Sequence, residues 1–312
     1  MDWVIGFDTS NYTTSIAAFD GTRGANIGKL LDVEPGALGL RQSEALFSHV
    51  KRLPGLAEQL RQSVPMDRAT AVGASTRPRA VEGSYMPCFL AGMSQGQVLA
   101  ATLGVPFFPC SHQQGHLAAA AWSAGRIELL DAPFLAWHLS GGTTELLLVE
   151  PEGVNVRAKC IGGTSDISAG QLIDRTGQLL GLNFPAGKAL DELSEKAGKV
   201  KPFTVKIHEL EFSLSGMENK VKQMAGKGEP PADIAAFALG CVASAVERTT
   251  NAAMQQYPGL PVLCSGGVAS NGMLRRVMQE SCNAIFAEPR YSTDNALGVA
   301  ILTWRQLKER TQ

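Results

Sequence analysis

An α/β protein made of two duplicated domains is what this sequence predicts, and three observations predict it. The chain has 312 residues, roughly two domain lengths, so each half can close a core of its own. A short apolar run, a polar turn and a second apolar run occur at Trp3–Phe7, Asp8-Thr9-Ser10 and Ser15–Phe19. The plan returns about 130 residues later, near a domain's length, at Phe134–Leu139, Ser140-Gly141-Gly142-Thr143-Thr144 and Glu145–Val149. A third strand-to-glycine junction, Val262–Ser265 with Gly266-Gly267, leads into a helix from about Asn271. Two such halves facing a cleft is the expected architecture.

The remaining elements follow in order. Asp20-Gly21 closes the first strand pair onto a further strand. Ser43–Gln62 carries Ala45, Leu46, Val50, Leu53, Leu56, Ala57 and Leu60 at helical spacing, interrupted by Pro54. Ala71–Ser75 is a buried-strand candidate. Phe89–Leu103 predicts a packed helix ending near Gly104, then a strand at Val105–Pro109 and a helix from His112 to about Trp122. Asp131-Ala132-Pro133 marks the expected boundary. The domains are then 1–131 and 132–294, and a last helix, Asn295–Lys308 within 295–312, crosses back to the first.

Composition narrows the function classes. Lys plus Arg number 28 and Asp plus Glu 29, a formal charge of −1, unlike a dedicated non-specific nucleic-acid binder. Any RNA contact must therefore come from a local patch or a partner. The 33 glycines cluster with Ser and Thr, a pattern suited to backbone approaching phosphate. Cys88, Cys110, Cys160, Cys241, Cys264 and Cys282 form no CxxC pair, so buried reduced thiols are expected. The first residues lack the basic region of a signal peptide. Polar Ser94, Gln95 and Gln97 interrupt the apolar stretch Phe89–Phe108, which argues against a membrane span. A soluble cytoplasmic protein is the expectation.

Two constellations carry chemistry. His112 and His116 stand four apart, on one face of a helix, which suits zinc or iron and equally an ordinary surface pair. No Glu lies between them, so the HExxH peptidase base is missing. Asp294 is the best third ligand, its alternative being a helix N-cap. Ser140-Gly141-Gly142 and Ser265-Gly266-Gly267 would let backbone N–H groups reach phosphate oxygens, although glycines also serve plain turns. Asp174 is placed to accept from a ribose or to pair with Arg175. Gly187 and Asp191 follow the loop Asn183-Phe184-Pro185-Ala186, suited to close ligand approach, although Pro185 followed by Gly187 equally marks a plain loop. Neither a P-loop lysine motif nor a GxSxG elbow is present.

Taken together, Gly6-Phe7-Asp8-Thr9-Ser10, His112 to His116, Ser140-Gly141-Gly142, Asp174 through Gly181-Leu182 to Gly187, Phe212-Ser213-Leu214-Ser215-Gly216, Ser265-Gly266-Gly267-Val268 with Asn271, and Thr293-Asp294-Asn295 resemble the TsaD family. These are threonylcarbamoyl transferases of tRNA modification, once labelled O-sialoglycoprotein endopeptidases. The resemblance runs from Ile5 to about Trp304 and implies two actin-like, Hsp70-like or sugar-kinase-like ATPase-fold domains around a nucleotide cleft. It implies one iron or zinc ion on His112, His116 and Asp294. It places ATP or an adenylate at Ser140, Gly141, Gly142, Asp174, Gly187, Asp191 and Asn271. Asp8, Ser10, Thr143, Arg77, Arg79, Gly266 and Gly267 are further candidates, and no catalytic residue is assigned. The implied reaction moves threonylcarbamoyl from its adenylate to N6 of the tRNA adenosine beside the anticodon. Implied partners are tRNA and the other proteins of a threonylcarbamoylation complex, including an actin-like paralogue, with no membrane.

Three departures stand out. The family's Ser-Cys-Asp-Glu-Thr is Ser10-Asn11-Tyr12-Thr13-Thr14 here, so the acidic pair is gone. Its Ser-Gly-Gly-His ends in Thr143, and its Gly-Pro-Gly loop reads Arg77-Pro78-Arg79. Two guanidiniums suit phosphate; a solvated basic turn is the alternative. The leading expectation is a metal-dependent transferase. Others are a divergent paralogue serving as nucleotide-binding partner or regulatory subunit, a carbamoyltransferase with another acceptor and, weakest, a metallopeptidase.

Overall fold

The computed structural model describes residues 2–10, 12–32, 40–198, 200–201 and 203–311; Asn11 of the altered hairpin lies outside them. In chain order the elements begin β1 (Trp3–Thr9), β2 (Thr13–Phe19), β3 (Gly24–Leu30), α1 (Gln42–Arg61), β4 (Ala69–Arg77), α2 (Phe89–Leu103), β5 (Phe107–Ser111) and α3 (His112–Ser123). They continue β6 (Phe134–Leu139), β7 (Thr144–Glu152), β8 (Asn155–Thr164), α4 (Ala169–Leu179), α5 (Gly187–Ser194), β9 (Ile207–His208) and β10 (Glu211–Phe212). The rest are α6 (Ser215–Gly226), α7 (Pro231–Gln256), β11 (Val262–Ser265), α8 (Gly272–Cys282), β12 (Ile285–Phe286) and α9 (Leu297–Thr311).

The two sheets repeat one plan. The first has the order β3-β2-β1-β4-β5, the second β12-β11-β6-β7-β8-β10-β9. β1 runs antiparallel to β2 and parallel to β4, as β6 does to β7 and β11. Two compact units result: residues 1–132, 150–158 and 293–312 form one, and 133–149 with 159–292 the other. Residues 132, 150–158 and 293–294, which the sequence reading leaves with the second half, thus group with the first.

In the first unit, Ile5, Phe7, Ile16 and Val72 of the sheet pack with Leu53, Leu56 and Leu60 of α1 and Ala91 and Ala100 of α2. Helix α9 packs on β1 and on α3. The crossing of α3 and α9 depends on two glycines: a Cβ on Gly298 would stand 1.8 Å from the Gly115 carbonyl oxygen. The core of the second unit is built around α7, buried along most of its length.

Several expectations change. Helix α1 runs unbroken through Pro54, because Pro54 and Val50 are both exposed and water can take the carbonyl that loses its donor. β5 starts at Phe107, two residues late. Gly104 caps α2 in the left-handed region (φ 68°) and the Val105 N–H returns to the Ala100 carbonyl at 3.0 Å, so Val105 belongs to the helix end. Cys160 is exposed, while the other five thiols are buried. Among the described residues, no helix is long and apolar enough to cross a membrane.

Candidate metal centre and nucleotide cavity

Ser111 and Gln114 form a capping box at the start of α3, fixing the first turn that carries His112. One turn on, His116 shares its face. The Nε2 atoms of His112 and His116 are 2.9 Å apart, and His116 Nε2 is 3.2 Å from Asp294 Oδ1. Ligand atoms of these three residues all lie within 4.8 Å of one another. Asp294 is not the cap of α9. Asn295 Oδ1 accepts the Leu297 N–H, and Asn26 Oδ1 accepts that of Ala296, which leaves the Asp294 carboxylate to face the imidazoles.

Asp8, 1% exposed, accepts from His112 Nδ1 at 2.7 Å and from the Ser10 N–H at 3.0 Å. A carboxylate only accepts, so Nδ1 carries hydrogen and Nε2 is the atom turned to the cluster. Burial disfavours charge on His112, yet the carboxylates of Asp8 and Asp294 outweigh it and raise its pKa. Burial likewise opposes ionisation of Asp294, and hydrogen bonds from His112 and His116 outweigh it, holding its carboxyl well below the usual range. Two imidazole nitrogens and one carboxylate, with a second carboxylate behind, match the donor chemistry of zinc or non-haem iron(II). These residues fit such an ion.

The hairpin beside the cluster is held from both faces. Thr13 Oγ1 donates to Asp294 Oδ2 at 3.3 Å, whereas Thr14 Oγ1 is 2.8 Å from Nδ1 of buried His49. Burial pushes the His49 pKa down to about 4, only partly offset by the Ser10 backbone and Asp8. The Ser10 hydroxyl is buried among the same residues. Arg77 and Arg79 are exposed. Arg77 pairs in register with Ser111, and the Pro78 carbonyl accepts the Gln113 N–H at 3.0 Å, so this segment abuts the first turn of α3.

The second unit contains a cavity of about 430 Å³ lined by Gly141, Asp174, Gly187, Asp191, Gly267 and Asn271, among others, a volume suited to a small molecule. The turn before β7 closes on itself: the Ser140 N–H donates to the Thr143 carbonyl, and the Thr143 N–H to Ser140 Oγ. Ser168 Oγ donates to the Gly141 carbonyl at 2.6 Å, which fastens the turn to α4. Gly170 permits this contact, since a Cβ there would sit 2.4 Å from Gly141 Cα. Gly266 (φ 96°) lies against Leu139 in the same way. Ser140, Gly142, Thr143 and Gly266 therefore shape the cavity without being part of its lining.

Asp174 Oδ1 accepts the Ala186 N–H at 2.9 Å, and Arg175 pairs with Glu218 at 2.7 Å, so the Asp174–Arg175 pairing does not occur. Asp191 accepts from Asn271 Nδ2 at 2.7 Å and from the Gly272 N–H at 2.8 Å, while Asn271 Oδ1 caps α8. These two residues fix one wall. Sequence reasoning missed Lys188, an exposed cation in the lining; its only signal is that it directly follows Gly187. It also missed Thr13, Gly115 and Gly298, whose roles depend on partners remote in sequence.

A family model described as tRNA N6-adenosine threonylcarbamoyltransferase (TsaD) matches residues 39–301. The protein of that name from Thermus thermophilus is 32% identical over 312 residues, covering 97% of this chain and 93% of its own length. Its Streptococcus suis counterpart is 32% identical over 267 residues, covering 81% and 76%. Among solved structures, T. kodakarensis HypF superposes with a TM-score of 0.59 at 14% identity, covering 99% of this chain and 48% of that one. Component A of the Acidaminococcus fermentans (R)-2-hydroxyglutaryl-CoA dehydratase gives 0.57 at 15% identity, covering 99% and 100%. These likenesses show the actin-like ATPase fold. With its sheet plan, the family match and the relatives in agreement, the chain belongs to the tRNA N6-adenosine threonylcarbamoyltransferase (TsaD) family.

Proposed function

We propose that this protein transfers a threonylcarbamoyl group from threonylcarbamoyl-adenylate to N6 of the tRNA adenosine beside the anticodon. The observation that carries the reading is the convergence of His112, His116 and Asp294 within 4.8 Å in a chain of this family. These three residues would hold one iron or zinc ion, which when bound supplies Lewis-acid polarisation of a carbonyl. Asp8 orients His112 for that purpose. ATP or the adenylate would occupy the cavity of the second unit. There the backbone at Gly141 and Gly267 allows close approach, Lys188 meets phosphate charge, and Asp191 keeps Asn271 in place.

In the transfer, the N6 amine forms a bond to the carbamoyl carbon. The bond from that carbon to the adenylate phosphate oxygen breaks, AMP leaves and the amine gives up a proton. Arg77 and Arg79 offer tRNA phosphates a local basic contact on a chain whose net charge is −1. Capture of tRNA then calls on further proteins of a threonylcarbamoylation complex, an actin-like paralogue among them. The uncharged Tyr12 and Thr13 favour one second reading, a nucleotide-binding partner that performs no transfer.

The test is reconstitution with tRNA, threonylcarbamoyl-adenylate and candidate partner proteins, followed by mass spectrometry of the tRNA nucleosides and metal analysis. The wild type is expected to carry about one ion and to modify adenosine; His116→Ala is expected to lose both. A metal-loaded wild type that modifies no tRNA, with every partner supplied, would overturn the transfer and leave the second reading.

A further inference from the structure

We infer that Thr13 is a positioning residue that makes Asp294 present a single oxygen to the His112–His116 pair. The inference rests on the metal reading above and concerns a residue outside the three expected ligands. Thr13 opens β2 and is 7% exposed. Its hydroxyl donates to Asp294 Oδ2 at 3.3 Å across 281 residues of sequence. The other oxygen, Oδ1, is the one that lies 3.2 Å from His116 Nε2 and 3.5 Å from His112 Nε2. The carboxylate is thus divided, with one oxygen given to the hairpin and one to the imidazoles.

The position of that hydroxyl is set by three independent ties. Thr13 pairs with Leu30 in the sheet, and Thr14 pairs with Thr9. The Leu31 N–H bonds to the Tyr12 carbonyl at 2.7 Å. Successive strand residues point to opposite faces, and Thr14 uses its own face to reach His49 at 2.8 Å. Thr13 is therefore held with its hydroxyl on the Asp294 side. A hydroxyl has one hydrogen to donate, and donation to Oδ2 opposes rotation of the carboxylate into a two-oxygen grip on a cation. The arrangement gives three single-atom donors, His112 Nε2, His116 Nε2 and Asp294 Oδ1, which leaves coordination positions for an oxygen ligand from outside the protein. Asp8 does for His112 what Thr13 does for Asp294, each fixing a donor from behind.

The experiment is cobalt(II) titration of the full chain, wild type and Thr13→Val, with a chromophoric chelator competing for the ion and the visible d–d spectrum recorded. Val keeps the shape and removes the hydrogen bond. The expected result is about tenfold weaker cobalt binding and a loss of visible absorption intensity, because a carboxylate freed from Thr13 would bind bidentate and raise the coordination number of the cobalt. Thr13→Ser is expected to restore both. Wild-type affinity and spectrum in Thr13→Val would overturn the role of Thr13 while leaving the metal reading intact. Equal weakening in the Val and Ser variants would overturn it too, because Ser keeps the donating hydroxyl and would then have failed to rescue the effect. A wild type that binds no cobalt would instead remove the metal reading on which the inference stands. Thr13→Ala, judged by the same spectrum, serves if the Val variant does not fold.

Discussion

Acidification provides a quantitative handle on the hairpin that carries Thr13 and Thr14. His49 is fully buried with Nδ1 against Thr14, and burial holds its pKa at about 4 against an ordinary 6.5. The unfolded chain therefore takes up a proton at His49 as pH falls below about 6.5, while the folded chain refuses it until about pH 4. The stability that comes from keeping His49 neutral is complete above the unfolded pKa and is lost as pH falls through this window. Each pH unit within it corresponds to about 1.4 kcal/mol. Between pH 7.5 and 5 the loss attributable to His49 is about 2 kcal/mol. Urea unfolding at several pH values, followed by tryptophan fluorescence, measures it when wild type is compared with His49→Phe. Other titrating groups contribute to both proteins, so the difference between their stabilities isolates His49. That difference should shift by about 2 kcal/mol over the range. Parallel pH profiles for the two proteins would show that His49 protonates equally in both states and would refute the argument from burial.

Two further substitutions test how the candidate sites are built. Gly298→Ala puts a Cβ 1.8 Å from the Gly115 carbonyl oxygen, so α3 and α9 must part. We expect at least about 1–3 kcal/mol of lost stability in thermal melts together with loss of cobalt binding, since His116 and Asp294 sit on the two sides of that crossing. Gly170→Ala drives a Cβ to 2.4 Å from Gly141 Cα and displaces the turn at the cavity. Calorimetry with ATP should show at least about tenfold weaker binding, about 1.4 kcal/mol, with cobalt binding retained because the disturbance lies in the other unit.

Much of this is legible in the sequence itself, for physical reasons. The strand–turn–strand pattern of 3–19 and of 134–149 reads clearly because short apolar runs are bounded by small polar residues. His112 and His116 read as a pair because a helix puts residues four apart on one face. The 26-residue α7 did not read. Most of its alanines, with Cys241, Val242 and Leu239, are buried, and on several sides, which erases the one-sided stripe that marks a surface helix. The contribution of Asp294 was legible only as one of two options, since the same residue type caps helices. What tipped the balance, Asn295 and Asn26 taking over the capping, lies in tertiary contacts. Thr13 and Lys188 were equally hidden, a hydroxyl and a cation among many until the fold brings Asp294 to the one and sets the other in the cavity lining.

The first unit is assembled from stretches separated by nearly the whole of the second, and this imposes an order on vectorial synthesis. Residues 133–292 leave the ribosome with almost all that the second unit needs. The first unit, although begun earlier, waits for α9 to cover its sheet and for Asp294, which trails His116 by 178 residues. A nascent or truncated chain that stops before Asp294 displays two imidazoles with no carboxylate opposite them, a poor trap for a divalent ion. Domains commonly fold as units during translation. Here the unit that starts first finishes last, so assembly of the His–Asp cluster is deferred until α9 has docked.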